Sequence, residues 1–185
     1  DHLKLGFSMD KMRHILKLSN FSDVNGFRKT AIFDKELGWM RSQLFFHPEP
    51  ADFNSYELCL LADQFMRARG KETYSMAELA YVDNDPGAGV VDVFVSHYQG
   101  EVISDTLVAM QTFEAKKAGA KYFLDVFCIR QCIQNDFDIG YVTTLIGDIG
   151  CTLMVALPWK KPDTIQRLWC VFEVLCTVES RATLA

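Results

Sequence analysis

The chain has no run of lysine and arginine and a net charge of −5, so it carries no electrostatic footprint for nucleic acid or an anionic membrane surface. Long hydrophobic runs are missing too: stretches such as Leu153 to Leu157 fall far short of the roughly 20 residues that a bilayer span requires. The six cysteines form no CxxC pair and no HxxxH pair accompanies them, so the spacings Cys128 to Cys132 and Cys170 to Cys176 do not supply the paired ligands of structural zinc. Neither a GxGxxG fingerprint nor a P-loop is present, which removes the standard phosphate cradles. No signal peptide is visible, and because the first residue is Asp1, a processed or truncated N-terminus stays open.

What is present is apolar. Hydrophobic residues make up 49% of the 185, with 14 Phe among them, enough for a dense core in one domain or one domain with an appendage. Cys59, Cys128, Cys132, Cys151, Cys170 and Cys176 lie mostly inside apolar runs, where a free cysteine packs as a small hydrophobe. Reduced thiols and a cytoplasmic setting follow as the expectation.

Composition changes near Asp83-Asn84-Asp85-Pro86-Gly87-Ala88-Gly89, a loop-forming cluster that predicts a linker over 84–89. Before it, residues 1–83 read as a mainly helical N-terminal region. Met9 to Leu18, Phe27 to Phe45 and Ser55 to Arg69 carry apolar residues at helical spacing, with a further helix at Ser75 to Tyr81 and a break at His47-Pro48-Glu49-Pro50. His2, His14 and His47 lack a sequence-local carboxylate or cysteine partner and read as surface or core residues.

After the linker, strand and helix alternate over 90–185. Val90 to His97 predicts a strand, Val102 to Lys117 a helix closed by Gly119, and Lys121 to Ile129 a second strand. A loop over Cys132 to Asp138 leads to a helix from Ile139 closed by Gly150, and Cys151 to Leu157 reads as a strand covered on both faces. The last helix has Asp163 as its expected N-cap with Gln166 three residues on. This order predicts an α/β fold with an open parallel sheet and flanking helices, and ligands beyond the carboxyl ends of the strands. Ser96, His97, the segment after Phe127, and Trp159 then face that edge.

The last helix holds the least expected residue. Trp169, Glu173 and Cys176 share one face, beside a predicted apolar stripe of Ile165, Leu168, Phe172 and Leu175. A carboxylate at that margin, if desolvated, needs a donor or cation, for which Arg167 or a ligand is a candidate, and such a group can stabilise a developing cation. The plainer reading makes Glu173 a boundary residue bonded to a loop, with Trp169 in the core. Ser96 and His97 resemble a nucleophile and base, but neighbours on a strand point to opposite faces, so a loop-orienting role fits them better. Asp125, inside an apolar run, must accept hydrogen bonds or form an ion pair.

Three ordered motifs carry a resemblance: Phe94-Val95-Ser96-His97-Tyr98-Gln99-Gly100-Glu101, Asp125-Val126-Phe127-Cys128-Ile129-Arg130-Gln131, and Arg167-Leu168-Trp169-Cys170-Val171-Phe172-Glu173, with Ile149 to Trp159 between the last two. They are similar to the FVSHxWGE, DxFCxNQ and RxWCLxE motifs of the TIR (Toll/interleukin-1 receptor) superfamily, in particular a TIR-like group of protists and algae. Gln99 stands where that group has Trp, and Arg130 where it often has Asn. The resemblance covers 90–185 and implies a flavodoxin-like sheet, which would be C-terminally incomplete beside a full TIR domain.

The resemblance implies more about function. In enzymatic TIR domains the glutamate of the WCxxE motif cleaves NAD at the nicotinamide-ribose bond, a role that falls on Glu173. Ser96, His97, Tyr98, Arg130 and Trp169 are the implied substrate-binding positions, with the loop from Cys128 to Phe137 lining the same pocket and Gln99 and Arg130 altering its rim. The implied substrate is NAD, with no bound cofactor or metal. Three readings follow: an NAD-cleaving signalling enzyme that self-associates or meets other TIR-like domains, a non-catalytic interaction module, or a structural subunit of a larger assembly.

Overall fold

Residues 2–17 and 53–185 are described by a computed structural model of the protein. The helix expected over Phe27 to Phe45 and the break at His47 to Pro50 lie outside the described residues. Six short strands form one sheet: β1 (Leu5–Ser8), β2 (Ala88–Val90), β3 (Val93–Ser96), β4 (Lys121–Phe123), β5 (Cys151–Met154) and β6 (Thr183–Leu184). Their spatial order is β2-β1-β4-β3-β5-β6. The four strands from β4 to β6 run parallel, whereas β1 is antiparallel to both β2 and β4, so the sheet is mixed rather than wholly parallel.

Seven α-helices are present among the described residues: α1 (Met9–Lys17), α2 (Ser55–Arg67), α3 (Met76–Val82), α4 (Ile103–Glu114), α5 (Asp125–Cys128), α6 (Ile139–Ile149) and α7 (Leu168–Glu179). Two of them start with reciprocal caps. Asn54 accepts from the Glu57 amide while Glu57 accepts from the Asn54 amide, and Ser75 and Glu78 repeat the arrangement for α3. At its other end α6 stops at Gly150, whose φ of +75° suits a residue without a Cβ. Among the described residues no helix is long and apolar enough to cross a membrane.

Four expectations are corrected. Leu5–Ser8, in the part read as helical, is a strand, because four residues including a glycine are too few to show a two-residue period. Ala88–Val90, across the predicted linker and the start of the predicted Val90 to His97 strand, is an edge strand, and the run breaks where the Val91 and Asp92 amides bond to the Lys4 and Lys121 carbonyls. The second strand stops at Phe123 instead of Ile129: the Asp125 carboxylate accepts from the Val126 amide at 2.7 Å and starts α5. At the last helix, Asp163 gives no side-chain cap. Thr164–Gln166 is a 3-10 turn pinned by the Thr164 hydroxyl on the Val155 carbonyl at 2.6 Å, and α7 begins only after Arg167.

The sheet centre is aromatic. Phe94 on β3 stacks on Phe123 of β4 with ring centres 5.1 Å apart, and Phe7 of β1 meets Phe127 of α5 edge to face at 5.8 Å. All four residues of β3 are buried, as expected of a strand covered on both faces. Helices α6 and α7 pack on each other and on β3 and β5, while α1 packs on α4 and β1. The start of α2 is bound to the loop after β3 through Tyr56 N to the Gln99 carbonyl and Ile103 N to the Phe53 carbonyl. That loop carries part of the site.

Strand β1 passes so close to β4 that a Cβ at Gly6 would lie 2.2 Å from the Tyr122 carbonyl oxygen. Gly6→Ala is expected to destabilise the fold by about 1–3 kcal/mol, as overpacking against backbone does. Urea unfolding of the two proteins checks this, and equal midpoints would show that β1 is not held in the sheet.

Candidate functional site

Strands β4 and β5 lie on either side of β3, so the chain leaves β3 toward one neighbour and returns on the other, which opens a crevice beyond the carboxyl end of the sheet. Helix α7 covers this crevice with small polar side chains. Its buried residues are Cys170, Glu173, Cys176 and Thr177, whereas of the predicted apolar stripe Phe172 packs against the core but Ile165, Leu168 and Leu175 are half or more exposed, so the expected face is largely reversed. Hydrogen bonding explains the reversal. The Cys170 thiol donates to the His97 carbonyl at 3.3 Å, Thr177 Oγ1 lies 2.8 Å from Thr152 Oγ1, and Cys176 Sγ lies 3.1 Å from Thr143 Oγ1. Small side chains also let the helix approach the sheet closely.

Glu173 is the one carboxylate on that face, with only 5% of its surface exposed. The Ser96 hydroxyl, at the end of β3, donates to Glu173 Oε2 at 2.5 Å. Burial pushes the carboxyl up to about 7, with the Asp125 charge adding to the rise and the Ser96 hydroxyl and Trp169 indole opposing it. Arg167, the expected cation, sits instead over the Tyr98 ring at 5.3 Å.

Glu173 opens into a pocket of about 350 Å³. His97, Tyr98 and Gln99 from the loop after β3, Asp125 from α5 and Arg167, Trp169 and Cys170 from the start of α7 supply its polar wall. A chain of rings supplies the apolar wall, Phe123 to Phe137 at 5.9 Å and Phe137 to Trp169 at 6.0 Å, and Phe172 backs Trp169 from outside the wall at 6.0 Å. His97 Nε2 is buried without a hydrogen-bond partner and stands 3.7 Å from Asp125 Oδ1. Gln99 Nε2 donates to the other Asp125 oxygen at 2.6 Å.

The pocket therefore brings together Glu173, His97, Tyr98 and Trp169, with fully buried Ser96 reaching it through Glu173. Arg130 is elsewhere: its Nε and Nη2 grip the two oxygens of Glu78 on α3 at 2.8 and 2.6 Å, a bidentate pair that holds Glu78 below the usual carboxylate range through the guanidinium hydrogen bonds, against the effect of burial. That correction follows from α5, which turns the chain away before residue 130. Trp159, expected at the same edge, is 83% exposed and outside the pocket wall. Ile129 and Phe137, from the segment expected at this edge, and Gln99, expected at the rim, also line the pocket, whereas Asp125 escaped the sequence reading as a pocket residue, its one visible signal being a carboxylate within an apolar run.

The Ser96 hydroxyl is committed to Glu173 and His97 Nε2 turns toward Asp125, so the two form no nucleophile–base couple. Cys170 is no thiolate near neutrality, since burial pushes its thiol up to about 12. All six cysteines are free, and among the described residues no group of three or more His, Cys, Asp or Glu is placed to hold a metal ion. What the arrangement offers is a partly protonated, buried carboxyl group beside an aromatic wall. Compared with family models, with curated proteins and with solved structures, the chain matches none.

Because the folded state keeps the Glu173 proton to about pH 7, against an ordinary value of 4.5, it binds more protons than the unfolded chain in that window and loses stability as pH rises through it. Glu173→Gln removes this loss. At about 1.4 kcal/mol for each tenfold change in proton affinity, the variant is expected to gain at most about 3 kcal/mol over the parent between pH 5 and pH 8. Denaturant unfolding at the two pH values measures it; a gap that stays constant would mean that the carboxyl is not desolvated.

Proposed function

We propose that the protein is a TIR-like NAD nucleosidase that cleaves the bond between nicotinamide and ribose, with Glu173 as its catalytic carboxylate. The observation that carries this reading is a buried glutamate, bonded to the last residue of the central strand and opening into a ring-sized pocket. The parallel strands follow the order second, first, third, fourth, which supports the flavodoxin-like arrangement, and Glu173 lies at its switch point. A volume near 350 Å³ is at the small end of the roughly 300–1,000 Å³ of ligand sites, and suits a nicotinamide ring and its ribose rather than a whole dinucleotide.

The chemistry matches the groups in the wall. Nicotinamide leaves as a neutral molecule and the ribose carbon is left cationic, so an anion beside it lowers the barrier while the same site orients water or a ribose hydroxyl. Trp169 and Phe137 offer a surface for the ring. Arg167 gives the pyrophosphate a cation at the pocket mouth, whereas the neighbouring groove carries Glu101, Asp105 and Asp163 and would repel it.

A second reading, an interaction module, is favoured by one observation: Leu168, Val171, Leu175 and Val178 form an exposed apolar line along α7. Nicotinamide release from NAD by the purified protein at high concentration separates the two. Glu173→Gln should lower kcat by about 100-fold or more, and the parent rate should climb as pH rises through about 7, as Glu173 ionises. Equal rates for parent and variant would remove Glu173 from the mechanism, and a parent that releases no nicotinamide would leave the module reading.

A further inference from the structure

Two carboxylates, not one, face the pocket. Asp125 lies at the first position of α5, immediately beyond β4, and its side chain is mostly buried but reaches the pocket wall. Neutral donors hold it from two elements: the Val126 amide on Oδ1 at 2.7 Å and Gln99 Nε2 on Oδ2 at 2.6 Å. Gln131 Nε2 fixes the Asp125 carbonyl at 3.0 Å, so the backbone beneath the carboxylate is anchored as well.

His97 supplies the second observation. Its ring is more than nine-tenths buried, its Nε2 has no hydrogen-bond partner, and it is aimed at Asp125 across 3.7 Å in the wall of the same pocket. An orphaned buried nitrogen is costly. Because Nε2 itself is closed to solvent, the Asp125 carboxylate is the member of the pair that can meet a ligand hydroxyl.

We propose that Asp125 is a second catalytic carboxylate of this pocket, the standing anion that faces the ribosyl cation, while Glu173 takes the proton of the incoming water. The assignment rests on the NAD-cleaving reading above. In the reaction, the bond between the pyridinium nitrogen and ribose C1′ breaks with its electron pair moving to nitrogen, which gives neutral nicotinamide and an oxocarbenium ion. Water oxygen then bonds to C1′ as one of its protons passes to the Glu173 carboxylate. ADP-ribose forms, and Glu173 returns its proton to solvent.

Dividing the roles keeps an anion beside C1′ while the proton of the attacking water passes to Glu173. Different surroundings divide the work: Glu173, on the buried face of α7, is 5% exposed and held by a serine hydroxyl, and the more exposed Asp125 is held by two N–H donors. The two groups feel each other, for the Asp125 charge contributes to the raised proton affinity of Glu173. The other titratable or charged groups around the pocket are His97 and Tyr98 from the loop after β3 and Arg167 and Cys170 from the α7 end; the contact from α6 is the uncharged Thr143, on Cys176.

The test compares nicotinamide release by the full chain with that of Asp125→Asn, Asp125→Glu and Gln99→Ala over pH 5 to 9. Asp125→Asn should lower kcat by about 100-fold with KM changed far less, and should move the acidic limb of the profile to lower pH, since Glu173 ionises more easily without the neighbouring charge. That shift follows from removing the charge beside Glu173 whatever role Asp125 has, so the kcat loss at nearly constant KM and its partial rescue by Asp125→Glu carry the assignment. Asp125→Glu should keep the limb and part of the activity, and Gln99→Ala, at an exposed position, should lose about 5-fold in kcat as the carboxylate loses one tether. An active parent whose Asp125→Asn keeps its rate overturns the role of Asp125. Should that variant fail to fold, unchanged kcat in Gln99→Ala does the same. A parent that releases no nicotinamide overturns the NAD-cleaving reading itself.

Discussion

The hydroxyl that Ser96 donates to Glu173 is the interaction on which the site depends. Without a donor, a carboxylate 5% exposed between a helix and a strand would leave its oxygens unpaired in a poorly solvating medium. One short hydrogen bond from the last residue of β3 satisfies Oε2, and the small residues around it let α7 come close enough for that bond to form. The same closeness sets Cys170 on the His97 carbonyl and Thr177 beside Thr152, so the helix is registered on the sheet by polar contacts rather than by an apolar stripe.

This registration explains which parts of the protein were legible in its sequence. Helices with strong caps were: the Asn54–Glu57 and Ser75–Glu78 boxes and the glycine at 150 fall near the boundaries that spacing predicts. The α/β alternation was visible because β3 and β5 are apolar runs between helical periods. Strand β1 was not, since its place is set by long-range pairing with β4 and by a close backbone approach at Gly6, neither of which leaves a local pattern. The buried face of α7 was misread for a related reason: hydrophobicity chose Leu168 and Leu175, whereas hydrogen bonding chose Glu173, Cys176 and Thr177.

The candidate site shows the same division. Glu173 stood out because a charged residue in an apolar helix demands a partner, and Ser96, His97, Tyr98 and Trp169 are gathered at or behind the same pocket. Arg130 was misplaced because a four-residue helix replaced the predicted strand and turned its guanidinium to Glu78. Asp125 was recognised as a carboxylate needing partners, yet its approach to Glu173 across the pocket depends on that same turn.

The fold itself sets the proton state of this pocket, because its key carboxyl is desolvated by burial and exposed to charge from a neighbour. Direct observation of the Glu173 carboxyl carbon by 13C NMR during a pH titration tests that claim most closely. A midpoint near 7 in the folded protein is the predicted result. A midpoint at the ordinary glutamate value of 4.5 would contradict the account, for it would mean a carboxylate in contact with bulk water rather than one held under α7 by Ser96.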